Sequence, residues 1–134
     1  MKLSTYLSLQ KAYPLELHLV HYRSEYGNDI GDALKKNKHK SDALAVLGIF
    51  FEVQNGNNPI LDDLLNTFNE IKAKGGESEV KSFKLEKYLP LNTDRFYRYM
   101  GGLTTPGCNE VVVWTVFKVQ FTITFIFFMV LYCY

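Results

Sequence analysis

The sequence contains little cysteine, and its positive and negative charges nearly cancel. Its 134 residues include 2 cysteines, Cys108 and Cys133, which are too few to form a disulfide framework. The formal net charge is only +1, so the chain lacks the electrostatic footprint of a nucleic-acid-binding protein. The densest group of cations, KKNKHK at 35–40, is interpreted as a polar loop between strands. We therefore expect no nucleic-acid partner.

The N-terminus also lacks the features of a convincing secretion signal. The stretch MKLSTYLSLQ has one lysine and a short apolar run that Ser and Thr interrupt, with no small-residue cleavage site. The residues alone therefore leave the cellular compartment open.

Aromatic and β-branched residues, by contrast, are abundant and predict a strand-rich fold. The chain is 47% hydrophobic and contains 10 Phe and 9 Tyr, which indicates a folded domain led by β-structure. One helix is expected at 58–76, with Asn58 as N-cap, Pro59 at the first helical position and two glycines at its end. Alternating or continuously apolar segments predict strands over 14–23, 43–53, 94–102 and 109–118.

The final segment, 119–134, differs in kind from the rest of the chain. It carries no charge, and its 16 residues fall short of a membrane-spanning helix. Phe121, Ile123 and Phe125 alternate with threonines, which is typical of a strand. A buried terminal strand, a short membrane anchor and a sequence foreign to the native protein all remain open interpretations. Membrane association through this tail is the less favoured one.

The stretch ELHLVHY at 16–22 places two histidines and a glutamate in an apolar run. In a strand, Glu16, His18 and Val20 share one face, and His21 lies on the other. A carboxylate beside a histidine can orient it for a metal, or the two can form a hydrogen-bonded pair without metal. The residues alone favour the pair without metal. We expect His21 to be a satisfied core histidine and His39 to be solvated.

Four blocks of the chain closely resemble the α-class carbonic anhydrases. They are ELHLVHY, ALAVLGIFFEV, LEKYLP and GGLTTPGCNEVVVWTVF, and they occur in the family's order over residues 13–118. The resemblance implies a mixed, β-dominated fold: part of that family's large, mainly antiparallel sheet, with a few short surface helices. Residues 1–12 are interpreted as a leader outside the family, and 119–134 as an apolar tail that is not native to it.

The resemblance also implies an activity, the zinc-dependent reversible hydration of carbon dioxide to bicarbonate and a proton, which is a lyase reaction. His18 matches the third zinc ligand, Glu16 the carboxylate that orients it, and Thr104 the hydroxyl that aims the attacking hydroxide. His21 matches a buried structural histidine. The remaining matches line the pocket for the small-molecule substrate, with Thr105 at its mouth: Val20, Val46, Leu103, Thr105 and Trp114.

The match departs from the family at several positions. No H-x-H motif, which supplies the family's first two zinc ligands, occurs before ELHLVHY, so we expect an incomplete copy that lacks two of three ligands. Gly102 and Gly107 replace residues that are commonly Ser and Pro. Cys108 matches a cysteine that secreted members pair with an N-terminal partner, which hints at secreted ancestry. The alternative function is that of a non-catalytic carbonic-anhydrase-like binding protein.

Overall fold

The computed structural model describes residues 4–6, 11–37, 39–55, 59–62, 67 and 84–124. These residues fall into two compact units. One unit contains the described parts of Leu17–Phe50 and Asn92–Val119, and is called here the histidine unit. The remaining described residues form the other unit, the terminal unit.

The described chain is dominated by strands, in agreement with the predicted class. Its helical residues form the helix α1 (Ile30–Lys36) and single 3-10 turns at Ser24–Tyr26, Pro59–Leu61 and Leu85–Tyr88, and Asp62 and Thr67 are also helical. The strands are β1 (Ser4–Tyr6), β2 (Lys11–Tyr13), β3 (Leu15–Tyr22), β4 (Leu44–Gln54), β5 (Phe96–Gly101), β6 (Val112–Phe117) and β7 (Phe121–Thr124).

The main sheet has the strand order β3-β4-β6-β5, and β7 also pairs with β4. Strands β4 and β6 are parallel, as are β4 and β7, whereas β5 and β6 are antiparallel. The long connection between β4 and β6 permits a parallel crossover, and the short loop after β5 returns the chain as a hairpin. Within the described strands the sheet therefore contains both parallel and antiparallel pairs, consistent with the predicted mixed, β-dominated fold.

Strand β4 forms the centre of the histidine unit. The prediction of a strand buried on both faces is confirmed, because Leu44, Val46, Ile49 and Phe50 are all buried. Leu44, Val46 and Phe50 lie on one face of the sheet and Ile49 on the other, so β4 contributes apolar surface to both faces. The neighbouring strand β6 is equally buried along most of its length.

Helix α1 corrects the interpretation of KKNKHK as a loop. Lys35 and Lys36 belong to the last turn of α1, and Asn37 is its C-cap. Asp29 caps the helix by accepting a hydrogen bond from the Asp32 amide at 2.7 Å. Lys36 donates to the Asp32 carboxylate at 2.9 Å, and this hydrogen bond lowers the pKa of Asp32 below its ordinary value of 3.8.

The terminal unit contains the two-stranded sheet β1-β2 and the last part of β4 with β7. Gln120 donates to the hydroxyl of the buried Tyr13 at 2.8 Å, and the rings of Phe51 and Phe121 stack at 5.7 Å. The predicted strand character of the tail is confirmed for 121–124, and the rest of the tail lies outside the described residues.

The helix predicted at 58–76 falls mostly outside the described residues. The part that is described begins as a 3-10 turn at Pro59–Leu61 and is helical at Asp62 and Thr67. Asn58, the predicted N-cap, is outside the described positions. Across the described residues, no helix combines the length and apolar character needed to cross a membrane.

Candidate active site

His18 lies on β3 and packs against the single tryptophan of the chain. The centroid of the half-buried imidazole is 4.9 Å from that of the Trp114 indole, with the rings inclined at 70°. This is an edge-to-face contact, the geometry that aromatic pairs favour. The Nε2 atom of His18 is buried, and the imidazole ring packs against the indole.

Trp114 belongs to a row of side chains on one face of the sheet. Its Cα is paired with that of Val46 on β4 and with that of Tyr99 on β5, so the three side chains share a face. The indole is only 5% exposed, and its ring stacks on that of Tyr99 at 6.4 Å. The contact with His18 extends this row to β3.

The loop between β5 and β6 is tied to the same indole. Trp114 Nε1 donates a hydrogen bond to the Gly102 carbonyl at 3.1 Å. The loop is closed by two backbone hydrogen bonds, from the Leu103 amide to the Asn109 carbonyl at 2.9 Å and from the Cys108 amide to the Thr105 carbonyl at 3.1 Å. These contacts close the loop and place the Gly102 carbonyl beside Trp114. The predicted pocket residues Leu103, Thr104 and Thr105 are carried on this loop, Leu103 half-buried and the two threonines exposed.

Close packing explains why glycine occupies position 102. A Cβ atom placed there would lie 2.9 Å from the Cys108 carbonyl oxygen, closer than side chains tolerate. Further along the loop, Gly107 has φ 105°, a left-handed conformation that glycine adopts readily. Cys108 itself is exposed, with a free thiol. The sequence interpretation recorded both glycines as departures from the family but did not identify this packing.

Two residues of the predicted site, Val20 and Glu16, lie on β3 and differ in their solvent exposure. Val20, expected to line the pocket, shares the face of His18 but is 43% exposed. Glu16 is half-buried on the same strand, two residues before His18, and belongs to the terminal unit. Their roles, like those of the other predicted site residues, remain predictions.

The expectation that His21 is buried is wrong. The residue is exposed, because β3 is the first strand in the order of the described sheet and alternation turns His21 to the face opposite His18. His39, predicted to be solvated, is indeed exposed. In the described part of the chain, no three His, Cys, Asp or Glu side chains form a group that could hold a metal ion.

Tyr99 is the member of this row that sequence reasoning did not assign to the site. The alternation of β5 already placed Tyr97 and Tyr99 on one face of a strand. What the alternation could not indicate is that the Cα of Tyr99 pairs with that of Trp114, because strand register depends on residues distant in the sequence.

Comparison with known proteins identifies close relatives. A family model described as eukaryotic-type carbonic anhydrase matches residues 5–126, a wider span than the predicted 13–118. Human carbonic anhydrase 12 is 42% identical over 106 residues, which is 79% of this chain and 28% of the relative. The putative carbonic anhydrase 5 of Caenorhabditis elegans is 42% identical over 109 residues, or 78% of this chain and 32% of the relative. The chain thus spans about a third or less of the length of these relatives.

Proposed function

Because the chain belongs to the eukaryotic-type carbonic anhydrase family, we propose that it forms part of an active site for the reversible hydration of carbon dioxide. The observation that carries the proposal is the double contact of Trp114. Its indole touches the His18 ring at 4.9 Å and holds the Gly102 carbonyl at 3.1 Å. A candidate ligand and the loop bearing Thr104 therefore meet the same side chain.

In this proposal an apolar surface receives carbon dioxide. Val46 and Trp114 are buried on the face of His18, and Leu103 is half-buried at the start of the loop. Carbon dioxide is small and without net charge, so aliphatic and aromatic side chains suit it better than hydrogen-bonding groups. The hydroxyl of Thr104 can both accept and donate a hydrogen bond, which suits it to orient an attacking oxygen.

The described residues do not by themselves fit a catalytic zinc. Such sites use three protein ligands and keep a fourth position open. The chain has 3 histidines: His21 lies on the strand face opposite His18, and His39 lies in the connection after α1. We therefore assign His18 as one ligand only.

This shortage of ligands favours a second candidate function. A carbonic-anhydrase-like protein that binds partners without catalysis needs the fold but not the metal. The observation in its favour is that no group of three potential ligands occurs in the described parts of the chain. The two candidate functions predict different behaviour when two further zinc ligands are added: only the enzyme would then hydrate carbon dioxide.

The first experiment measures metal content and activity of the chain as it is. After purification and dialysis we expect no stoichiometric zinc and no carbon dioxide hydration above background, since one histidine cannot hold a catalytic zinc. One tightly bound zinc per chain would contradict the ligand assignment.

The second experiment supplies the missing ligands. The part of human carbonic anhydrase 12 that precedes its matched segment is fused to the N-terminal end of residues 13–134. We expect the chimera to bind zinc and hydrate carbon dioxide, and His18→Ala to lower both zinc retention and activity, because it removes one of three ligands. His39→Ala, which changes an exposed histidine, is the matched control and should leave activity unchanged.

The outcomes of the chimera experiment separate the two candidates. Activity that survives His18→Ala would refute the assignment of that ligand. A folded chimera that binds zinc and remains inactive would instead favour the non-catalytic binding protein.

A further inference from the structure

Gly101, the last residue of β5, leaves open the space beside which the Trp114 indole lies. A Cβ atom at position 101 would be 3.2 Å from Trp114 Cδ1 and 3.5 Å from Trp114 Nε1. The shorter distance is tighter than an ordinary van der Waals contact, so a side chain there would displace the indole by a few tenths of an ångström. Glycine in a strand often marks such a close approach. The missing side chain of Gly101 therefore sets how near the indole comes to β5.

Tyr99 borders the same space. It lies two residues before Gly101 and thus on the same face of β5. Its ring stacks on the indole at 6.4 Å, with the ring planes inclined at 14°. Its Cε2 atom would be 3.3 Å from a Cβ atom at position 101, so a side chain there would meet both rings. The pair Tyr99 and Gly101 is called here the indole slot.

The indole reaches from this slot across the sheet to β3. Its Nε1 atom donates to the Gly102 carbonyl at 3.1 Å, and its ring meets the His18 ring at 4.9 Å. Strands β4 and β6 lie between β3 and β5 in the order of the described sheet. Because the indole contacts both the slot and His18, a displacement that begins at the slot changes the contact with His18, the hydrogen bond to Gly102, or both.

We propose that Tyr99 and Gly101 are positioning residues of the candidate site. They fix the indole, and the indole fixes the His18 ring and the start of the loop that carries Thr104. Neither residue is assigned a contact with substrate or zinc. The catalytic part of this inference rests on the proposed function, because displacement of a reacting group by a fraction of an ångström lowers the rate. The positioning of the indole does not rest on it, because it follows from contacts within the chain.

The single tryptophan of the chain makes the position of the indole directly measurable. A nitrogen–proton NMR spectrum of the full chain contains one indole N–H signal. In Gly101→Ala we expect this signal to shift and its exchange with solvent to accelerate at least about threefold, because the hydrogen bond to the Gly102 carbonyl is weakened. Exchange of the Leu103 amide, in the same loop, should accelerate as well.

Two variants of Tyr99 and one control separate positioning from general stability. Tyr99→Leu removes the stacked ring and should also shift the indole signal, whereas Tyr99→Phe keeps the ring and should leave the signal near that of the unmodified chain. The control Met100→Ala shortens a 55% exposed side chain on the opposite face of β5 and should not move the signal. Circular dichroism confirms folding. Tyr99→Leu, at a 48% exposed residue, carries the test if Gly101→Ala unfolds.

The catalytic consequence is measured in the chimera with the N-terminal part of human carbonic anhydrase 12. Gly101→Ala should lower kcat about tenfold, while the zinc content stays the same because no ligand is substituted. Met100→Ala should leave both kcat and zinc content unchanged.

Three results would overturn the proposal. The first is an indole signal that shifts in neither Gly101→Ala nor Tyr99→Leu. The second is a signal that shifts as far in Met100→Ala, because the effect would then be general to β5. The third is an active chimera in which Gly101→Ala shifts the signal but does not lower kcat. An unmodified chimera that is folded, zinc-bound and inactive refutes the proposed function instead, and the indole signal still decides whether the slot positions Trp114.

Discussion

Replacing Trp114 with phenylalanine should loosen the loop between β5 and β6 more than it disturbs the rest of the histidine unit. The indole makes two different contacts: Nε1 donates to the Gly102 carbonyl at 3.1 Å, and the ring lies 4.9 Å from His18. Phenylalanine keeps an aromatic ring but cannot donate a hydrogen bond. The Gly102 carbonyl therefore loses its indole donor.

The magnitude follows from these contacts. Loss of this part-buried hydrogen bond costs about 1–2 kcal/mol, and weakening the ring contacts of Trp114 with His18 and Tyr99 costs about 1 kcal/mol more. We expect the free energy of unfolding to fall by about 2–3 kcal/mol in Trp114→Phe, with an unchanged dependence on urea. Urea unfolding followed by far-ultraviolet circular dichroism measures it, since the variant has no tryptophan to report by fluorescence.

Two local measurements separate loosening of the loop from general destabilisation. Exchange of the Leu103 amide, which donates to the Asn109 carbonyl at 2.9 Å, should accelerate, and the exposed Cys108 thiol should become easier to alkylate. The control is Thr115→Val, which removes a 3.2 Å hydrogen bond from Arg98 on the opposite face of β6. If Leu103 exchanges no faster in Trp114→Phe than in Thr115→Val, the indole does not hold the loop.

Three further outcomes test the burial and electrostatics described above. Ile49→Ala should lower the free energy of unfolding by about 3 kcal/mol, because Ile49 is 0% exposed; a loss under about 1 kcal/mol would contradict a packed core around β4. His21→Ala should change stability by no more than about 0.5 kcal/mol, since the side chain is exposed; a larger loss would restore a structural role for it. Lys36→Met should raise the pKa of Asp32 toward 3.8, followed by carboxyl NMR titration. Because the Lys36 contact depresses that pKa, its support of α1 is complete above pH 3.8 and declines as the pH falls through the lower folded-state value.

The alternation of side chains along the sequence predicted much of the histidine unit correctly. The segments 14–23 and 94–102 contain β3 and β5, and 43–53 contains all of β4 except Gln54. The tail includes β7, as its alternating apolar residues indicated. Four sequence blocks were enough to indicate the family that the comparisons show. The strands can be predicted from the sequence because a period of two, or a continuous apolar run, is a property of adjacent residues.

Helix α1 was missed although the sequence contains its signals. Asp29 and Asp32 stand at its start, and Lys35 and Lys36 at its end, which is the charge order that a helix favours. The segment is short and has a weak apolar stripe, so the cluster of lysines dominated the interpretation.

Tertiary structure alone decided how these strands serve the site. Alternation determined that His18 and His21 lie on opposite faces of β3, but the exposure of His21 follows from the place of β3 at the end of the described sheet. The pairing of β4 with β6 brings Val46 beside Trp114, and the fold of the following loop brings the Gly102 carbonyl to the indole. The physical reason is the sequence distance over which each property is determined. Which side chains share a face of a strand depends on adjacent residues, whereas burial and side-chain contacts depend on strands that are distant in the sequence.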